Sequence, residues 1–582
     1  MIPSNAPFSP EQSASLSALI SGFSPEQSSW LSGYLAGLGS SASTGPVNLT
    51  VAYGTESGNS EELAARTVKA AKGKGVKAVL RNLADLNPAD LAKAENLAVI
   101  ISTWGDGEPP EAVEGFYNAF VKESPDMKGL RFSICALGDT SYEKYCEIGK
   151  VFDERLEKLG GERITSREDC DVDFEEAYAA WLDRFLAELG GGESVAVAVA
   201  QASATPAVEY GKKNPFPSEV LDNVLLNGEG TAKETIHVEL SLDGSGLDYQ
   251  VGDALAVIPQ NAEDVISDIL KITGFSESEE VEHKAFGKTS LGDALRSKLD
   301  ITGLSRAVVR KFLALSPNAE LETLLSDESK AEFSAWIWGR QIVDLLKTFP
   351  IEDLTAQQLV NILRKLPPRL YSIASSPKAH PGEVHLTVAA VRYQGHGKKR
   401  KGVASTFLAD EAPVGEKVQV YVHANKNFRL PEDDATPIIM VGPGTGIAPF
   451  RAFVEERSER KASGESWLFF GDQKYNFDFL YQLEWQDYLK NKALTKLDVA
   501  FSRDQPEKVY VQDIMRKNAA ELFQWLEKGA HFYVCGDAER MAKDVHEALI
   551  EIVSEYGKLS AEDAAAYVAD LKKDKRYQRD VY

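Results

Sequence analysis

Along residues 47–189 of this 582-residue chain, short apolar runs alternate with stretches whose apolar positions recur every three or four residues. "VNLTVAYG", "KAVLRNL", "LAVIISTWG" and "RFSICALGD" predict strands, and "SEELAARTVKAAK", "AVEGFYNAFVK", "CEIGKVFDERLEKLG" and "FEEAYAAWLDRFLAEL" predict helices. That alternation predicts a doubly wound parallel sheet. The pattern then changes. Residues 208–258 and 367–430 hold strand-like runs such as "ETIHVELSL", "HLTVAAVRY" and "GEKVQVYVH". Residues 261–366, between them, carry helical patterns such as "FSAWIWGRQIVDLLKTF" and "AQQLVNILRKL". A β-barrel interrupted by a helical insertion is expected. From residue 437 onward, "SWLFFGD", "KLDVAFS" and "HFYVCGD" restore the alternation and predict a second α/β module.

Two segments fall outside this scheme. "FSPEQSASLSALISG" is followed directly by "FSPEQSSWLSGYLAG", each with Ser as N-cap, Pro at the first helical position and Gln three after the Ser. Two short amphipathic helices follow from this, the second carrying Trp30, Leu31 and Tyr34. They read either as a lead-in packed on its own domain or as a docking or oligomerisation hairpin. "GGGESVAVAVAQASATPA" is almost uncharged and reads as a flexible tether that lets domains swing, with "VAVAVA" as a possible strand. The expected divisions are 1–46 (helical repeat), 47–189 (first α/β domain), 190–209 (linker), 210–433 (barrel with insertion about 261–366) and 434–582 (second α/β domain).

Composition narrows the function. A net charge of −24 argues against nucleic acid and favours a positively charged protein partner. The four cysteines form no CxxC or zinc pattern, which suits a reducing, cytoplasmic compartment. No run of about 20 apolar residues predicts a membrane span, no signal peptide is read at the N-terminus, and no metal or haem motif is apparent.

The chemistry sits in loops after predicted strands. "TESGNS" joins a strand to a helix, where backbone N–H groups bind phosphate without a cationic side chain, and Thr55, Ser57, Asn59 and Ser60 add donors. "STWGDGEPP" and "LGDTSYEKYC" leave the carboxyl ends of later strands, where ligands of open α/β sheets lie, and Trp104 and Tyr142 are placed to flank a flat ring. Singly, each loop reads equally as a structural turn. In the barrel, "RLYSIASS" offers a guanidinium, a ring and a hydroxyl, and "GVAS" offers a helix N-terminus. "GPGTGIAPFR" lacks the spacing of the dinucleotide fingerprint, but "SRDQPEKVYVQ" follows it, and Ser502, Arg503, Lys508, Tyr510 and Gln512 suit the extra phosphate of NADP.

With these motifs in this order, together with "WLFFGD", "YVCGDAERMAKDV" and the final "RYQRDVY", residues 47–582 resemble the diflavin reductases, and within them the branch that serves sulfite reduction. The resemblance implies a flavodoxin-like FMN domain, a ferredoxin–NADP reductase-like FAD barrel with its helical insertion, and an NADPH domain. It implies an FMN site at Thr55, Glu56, Ser57, Gly58, Asn59 and Ser60, at Ser102, Thr103, Trp104 and Gly105, and at Leu137, Gly138, Asp139, Thr140, Ser141, Tyr142, Glu143, Lys144, Tyr145 and Cys146. The implied FAD site is Arg369, Leu370, Tyr371, Ser372, Thr387, Val388, Ala389, Tyr393, Gly402, Val403, Ala404 and Ser405, with Ser305 and Gly339 as further contacts and Tyr582 covering the ring. The implied NADPH site is Ser502, Arg503, Lys508, Val509, Tyr510, Val511, Gln512 and Asp544.

In such a chain a hydride enters at FAD and single electrons leave from FMN. Ser372 would hydrogen-bond the flavin edge, Cys535 would orient the nicotinamide and Asp580 would stabilise developing positive charge; the plainer readings are a buried cysteine and a surface aspartate. The implied partner is a haemoprotein subunit that reduces sulfite to sulfide, and the implied assembly is a homo-oligomer through the N-terminal repeat. A general NADPH–haemoprotein reductase and a non-catalytic flavin-binding subunit remain as alternatives. The acidic residues around the FMN loops read either as a solvated surface or as a field that steers a basic acceptor. Two departures stand out. Glu56 and Ser57 replace the usual Gln and Thr, so Glu56 should face solvent, away from phosphate. "GHGKKRK" is a basic patch in an acidic protein, expected to be a solvated loop or else a docking or steering element.

Overall fold

The computed structural model describes residues 22–24, 47–105, 107–140, 142, 144–172, 174–189, 210–326 and 329–582. Apart from residues 22–24, the N-terminal repeat lies outside the described residues, as do the 190–209 segment, Asp106, Ser141 and Glu143.

The first sheet is parallel. It contains β1 (Asn48–Gly54), β2 (Lys77–Asn82), β3 (Asn96–Ser102), β4 (Arg131–Leu137) and β5 (Glu162–Arg163) in the order β2-β1-β3-β4-β5, with β6 (Glu168–Cys170) also on β4. Helices cover both faces, so β3 is buried from Asn96 to Ile101, as its unbroken apolar run requires. One face packs against Leu63, Tyr178 and Trp181, and the other against Phe116, Phe120 and Phe152. The order reverses between β1 and β3, and a crevice opens at their carboxyl ends.

The barrel is antiparallel. Its strands include β7 (Phe216–Leu225), β8 (Thr235–Ser241) and β9 (Ala254–Ile258). The insertion follows, with its own core around Leu295, Val309, Phe312 and Leu359. It contains two short antiparallel pairs, β10 (Glu280–His283) with β11 (Gly287–Ser290), and β12 (Leu299–Asp300) with β13 (Arg364–Lys365). The run "FSAWIWGRQIVDLLKTF" is not one helix. Helices Lys330–Ile337 and Ile342–Thr348 flank a break where Gly339 adopts φ 70°. The barrel resumes with β14 (Arg369–Ser372), β15 (Glu383–Ala389), the hairpin β16 (Arg392–Gly395) and β17 (Lys398–Lys401), and β18 (Lys417–His423). The order is β14-β9-β18-β7-β8-β15, and an antiparallel bridge between Ile373 and Leu386 joins the two ends.

The basic patch is not a solvated loop. Strand alternation in β17 sends Lys398 and Arg400 to one face, against the insertion. Lys398 pairs with Asp268 at 2.8 Å; Arg400, only 4% exposed, pairs with Asp344 and donates to Gln341. These cations hold the hairpin on the helices.

The last sheet is parallel: β19 (Ile438–Val441), β20 (Ser466–Asp472), β21 (Lys496–Phe501), β22 (His531–Gly536) and β23 (Tyr577–Val581), in the order β21-β20-β19-β22-β23. Its switch point lies between β19 and β22. The C-terminal "RYQRDVY" supplies β23, an element the apolar pattern did not predict.

Candidate functional site

The phosphate-type loop after β1 is shaped by Gly58, whose φ of 84° caps the helix Asn59–Gly73 in the left-handed region that favours glycine. The backbone N–H groups of the first turn then face the crevice. Thr55 Oγ1, Ser60 Oγ and, at the end of β3, Ser102 Oγ are buried hydroxyls without a hydrogen-bond partner. Buried hydroxyls are ordinarily paired, so this donor set fits a phosphate ester and its polyol chain. Trp104 exchanges two 2.8 Å backbone bonds with Glu108, and Gly105 turns the chain at φ 47°. Thr140 is fixed by Asp171 at 2.6 Å, and Tyr142 stands 55% exposed at the crevice edge. Trp104 and Tyr142 thus come from two neighbouring strand ends. Lys144 packs over Gly107. Leu137, Tyr145 and Cys146 turn inward: Leu137 and Cys146 are buried, and Tyr145 Oη donates to the Asp169 carbonyl at 2.7 Å.

Glu56 departs from expectation. It does not face solvent: its carboxylate accepts from the Glu111 N–H at 2.8 Å. Burial, then the neighbouring Glu111 carboxylate, pushes its pKa up to about 7. The charge is kept off the phosphate loop by turning towards a backbone donor and by partial neutralisation, not by solvation.

In the barrel, β14 presents Arg369, half-buried, Leu370, 47% exposed, and Tyr371, half-buried. Gly402 precedes a single helical turn, and a Cβ there would lie 2.7 Å from Ser405 Oγ and 2.8 Å from Val391 Cβ. Across an open edge Tyr393 and Trp338 bring their rings to 6.3 Å, next to Gly339. These two rings, tilted by 50° to one another beside a helix start, suit an adenine and a pyrophosphate. Other residues named from the sequence are engaged elsewhere. Ser305 caps the helix Arg306–Leu315 by accepting from Val308 N–H, and the Thr387 hydroxyl meets Tyr481 Oη at 2.7 Å. Val388 is in the barrel core, and Ala404 is also buried.

The glycine-rich loop after β19 packs on β22. A Cβ on Gly446 would come within 2.1 Å of the Cys535 carbonyl oxygen, and one on Gly442 within 2.4 Å of the Gly446 carbonyl oxygen. Lys233, from the barrel, reaches this loop and pairs with Asp472 at 2.6 Å. Ser502 donates to the Asp472 carbonyl. Arg503 and Lys508 are exposed, and neither has an ion-pair partner among the described residues. Tyr510 is exposed between them and the helix Val511–Lys517, Val511 is in the core, and Gln512 donates to Asp544 at 3.0 Å. Two free cations and an exposed ring form a surface suited to a phosphorylated ribose.

The three candidate catalytic residues meet. Cys535 on β22 and Asp580 on β23 are register partners. Ser372 Oγ donates to Asp580 Oδ2 at 2.5 Å, and Cys535 Sγ lies 3.7 Å from the same oxygen. Asp580 is no surface charge. Burial raises its pKa, and the Ser372 and Cys535 hydrogen bonds oppose that rise. Burial, then Asp580, raises the Cys535 thiol well above its ordinary value, so the thiol stays protonated. Tyr582, 59% exposed, follows β23 and meets Thr445 Oγ1 of the glycine-rich loop at 2.8 Å.

Arg579, the residue before Asp580 on β23, points the other way. Its Nε lies 2.7 Å from Glu111, and Lys572 joins the same carboxylate at 3.1 Å. The acidic edge of the FMN-type crevice continues in this manner: Glu61 pairs with Lys426, Glu108 with Lys543, Glu114 with Lys572 and Asp139 with Arg364. Glu111 was read from the sequence only as one of the acidic residues around the FMN loops, and Arg579 and Asn425 were not singled out; isolated polar residues in ordinary strands and loops give no local pattern.

Comparisons with known proteins agree with this geometry. Family models match residues 51–181 as flavodoxin, 209–407 as an FAD binding domain and 440–547 as an oxidoreductase NAD-binding domain. Three similar relatives are each named sulfite reductase [NADPH] flavoprotein alpha-component. The one from Bacillus subtilis is 48% identical over 538 residues, 92% of this chain and 89% of that one. The one from Vibrio parahaemolyticus is 46% identical over 543 residues, 92% and 86%. The one from Photobacterium profundum is 41% identical over 582 residues, 99% and 95%. With three matched modules and identity at this level along nearly its whole length, the chain belongs to the diflavin reductase family, in the group of the sulfite reductase flavoprotein alpha-components.

Proposed function

We propose that the chain is the electron-donating component of an NADPH-dependent sulfite reductase, passing electrons from NADPH by way of FAD and FMN to a haemoprotein subunit that reduces sulfite to sulfide. The observation that carries this reading is the meeting of Ser372, Cys535 and Asp580 between the barrel and the last sheet, with the phosphate-type loop of the first sheet joined to the same strand through Glu111 and Arg579.

When bound, a flavin accepts electrons as a pair and passes them on singly, which is the chemistry this function needs. The chain supplies the rest. Thr55, Ser60 and the helix start behind Gly58 hold the FMN phosphate, and Trp104 and Tyr142 flank its ring. Gly402 and the Tyr393–Trp338 platform receive the adenosine half of FAD, and Arg369, Tyr371 and Ser372 its flavin half. Arg503 and Lys508 read the extra phosphate of NADPH. Asp580 places its carboxyl beside the point of hydride loss, Cys535 packs as a neutral, polarisable thiol, and Tyr582 shields the flavin face. We assign residues 1–46 to haemoprotein binding or self-association, and the four unpaired cysteines support a cytoplasmic location. No helix among the described residues is long and apolar enough to cross a membrane. Anaerobic addition of NADPH to the flavin-loaded chain tests the reading: the yellow colour should bleach, and NADH should be far less effective. A chain that keeps its colour with NADPH would overturn it.

A further inference from the structure

Asp580 has two carboxylate oxygens, and the Ser372–Cys535 pair accounts for only one. The other, Oδ1, faces Asn425 Nδ2 at 3.3 Å. The orientation of this amide is set by its surroundings: Asn425 Oδ1 accepts from the Asn427 N–H at 3.2 Å, which leaves Nδ2 for Asp580. The backbone is held as well, because Asn425 N–H donates to Asp253 Oδ1 at 2.8 Å. Asp253 is buried and pairs with Arg429, while its carbonyl accepts from Ile373 N–H, next to Ser372. Arg429 N–H in turn donates to Gln578 Oε1 at 2.7 Å, so alternate residues of β23 are gripped by one loop. The loop has little room to shift, since a Cβ on Gly252 would lie 1.9 Å from the Phe428 carbonyl oxygen.

We propose that Asn425 is a positioning residue for hydride transfer, holding the plane of the Asp580 carboxylate by binding the oxygen that Ser372 leaves free. This rests on the function proposed above. Asp253 holds Asn425 through its side chain and Ile373, the neighbour of Ser372, through its main chain. Asn425 adds a donor to the charged form of a buried carboxyl, so its loss makes Asp580 harder to ionise. The other groups around Asp580 are the Ser372 hydroxyl, the Cys535 thiol, the Glu56 carboxyl and the Tyr582 phenol.

The test uses the full flavin-loaded chain with Asn425→Ala and with Asn425→Asp, which keeps the volume but replaces the donor by an acceptor. Stopped-flow reduction by NADPH is followed across pH, with NADP⁺ affinity from absorbance titration, flavin content and thermal melting as further readouts. Loss of one hydrogen bond to a charged group predicts reduction slowed about tenfold for Asn425→Ala and more for Asn425→Asp. NADP⁺ affinity and flavin content should stay within about twofold, and the acid limb of the rate profile should move to higher pH, further for Asn425→Asp. Should Asn425→Ala fail to fold, Asn425→Asp decides alone. Wild-type rate and an unmoved acid limb in Asn425→Asp would overturn the proposal, as would a slow rate that merely follows loss of FAD. A wild-type chain that NADPH does not reduce would instead overturn the function on which it rests.

Discussion

Arg579 Nε lies 2.7 Å from the Glu111 carboxylate, while the adjacent Asp580 accepts from Ser372 on the opposite side of the same strand. One β-strand therefore faces the first module with one residue and the candidate hydride site with the next. The contact is ionic along its length: Glu61, Glu108, Glu111, Glu114 and Asp139 all meet Lys or Arg of the other modules. Part of the acidic surface read from the sequence, either as a solvated face or as a steering field, is thus occupied within the chain: Glu108, Glu111, Glu114 and Asp139. A basic acceptor must compete for it.

Exposed ion pairs contribute about 0–1 kcal/mol each and weaken as the Debye length falls from about 10 Å at 0.1 M salt to about 3 Å at 1 M. Raising salt is expected to open this contact, seen by X-ray scattering as a larger radius of gyration. Lys426→Glu combined with Lys572→Glu should produce the same expansion at low salt. An identical compact profile in all conditions would contradict the docking role of these pairs.

Glu56 makes the contact pH-dependent. Its pKa of about 7 in the fold lies above the ordinary 4.5. Below about 4.5 it is protonated folded and unfolded alike; between the two values only the fold retains the proton. Stability is therefore lost as pH rises through that window, and the deficit persists above it. Glu56→Gln should melt higher than wild type at pH 8, with the difference vanishing near pH 4.5. Equal pH dependence in the two proteins would show that Glu56 is solvated after all.

Much of the fold was legible because its periods are strong. The parallel strands β1, β3, β4, β20 and β22 are apolar runs, and the predicted helices between them lie within a residue or two of those observed. The insertion was less legible. "FSAWIWGRQIVDLLKTF" has one helical pattern, but Gly339 at φ 70° breaks it, and the short pairs β10–β11 and β12–β13 have too few residues for a period. β23 was missed because Gln578, Arg579 and Asp580 are polar. Their strand position is fixed by β22, the Asn425–Arg429 loop and Glu111, all distant in sequence. Motifs marked the candidate phosphate loops and the Ser372, Cys535 and Asp580 positions; the inward turn of Glu56 and the bond between Thr387 and Tyr481 are tertiary outcomes, whereas Ser305 is taken by a local helix cap.

Nucleotide choice is expected to rest on Arg503 and Lys508. Arg503→Ala should raise the KM for NADPH by about ten- to a hundredfold, as loss of a charge-assisted contact to phosphate, and leave the KM for NADH within about twofold. Equal losses with both nucleotides would place the extra phosphate elsewhere.

Tyr582 sits at the end of β23 with its hydroxyl on Thr445 and most of its ring exposed. Deleting it, or Tyr582→Ala, is expected to alter nicotinamide affinity and to relax discrimination against NADH by about tenfold, because nicotinamide no longer displaces a ring from the flavin face. Unchanged steady-state kinetics with both nucleotides would separate the tail from the hydride site.

On the function proposed above, electrons taken from NADPH between β14 and β23 leave through the first module to a sulfite-reducing haemoprotein. This route is tested most directly by mixing the flavin-loaded chain with a purified haemoprotein subunit, NADPH and sulfite under anaerobic conditions, and measuring sulfide. Sulfide is expected at about three molecules of NADPH consumed per sulfide formed, which supplies about the six electrons the reduction requires, and at a rate at least about tenfold slower with Asp580→Asn although flavin content is unchanged. NADPH oxidation with the wild-type chain that reduces an artificial dye but yields no sulfide would contradict it and leave a general NADPH–haemoprotein reductase.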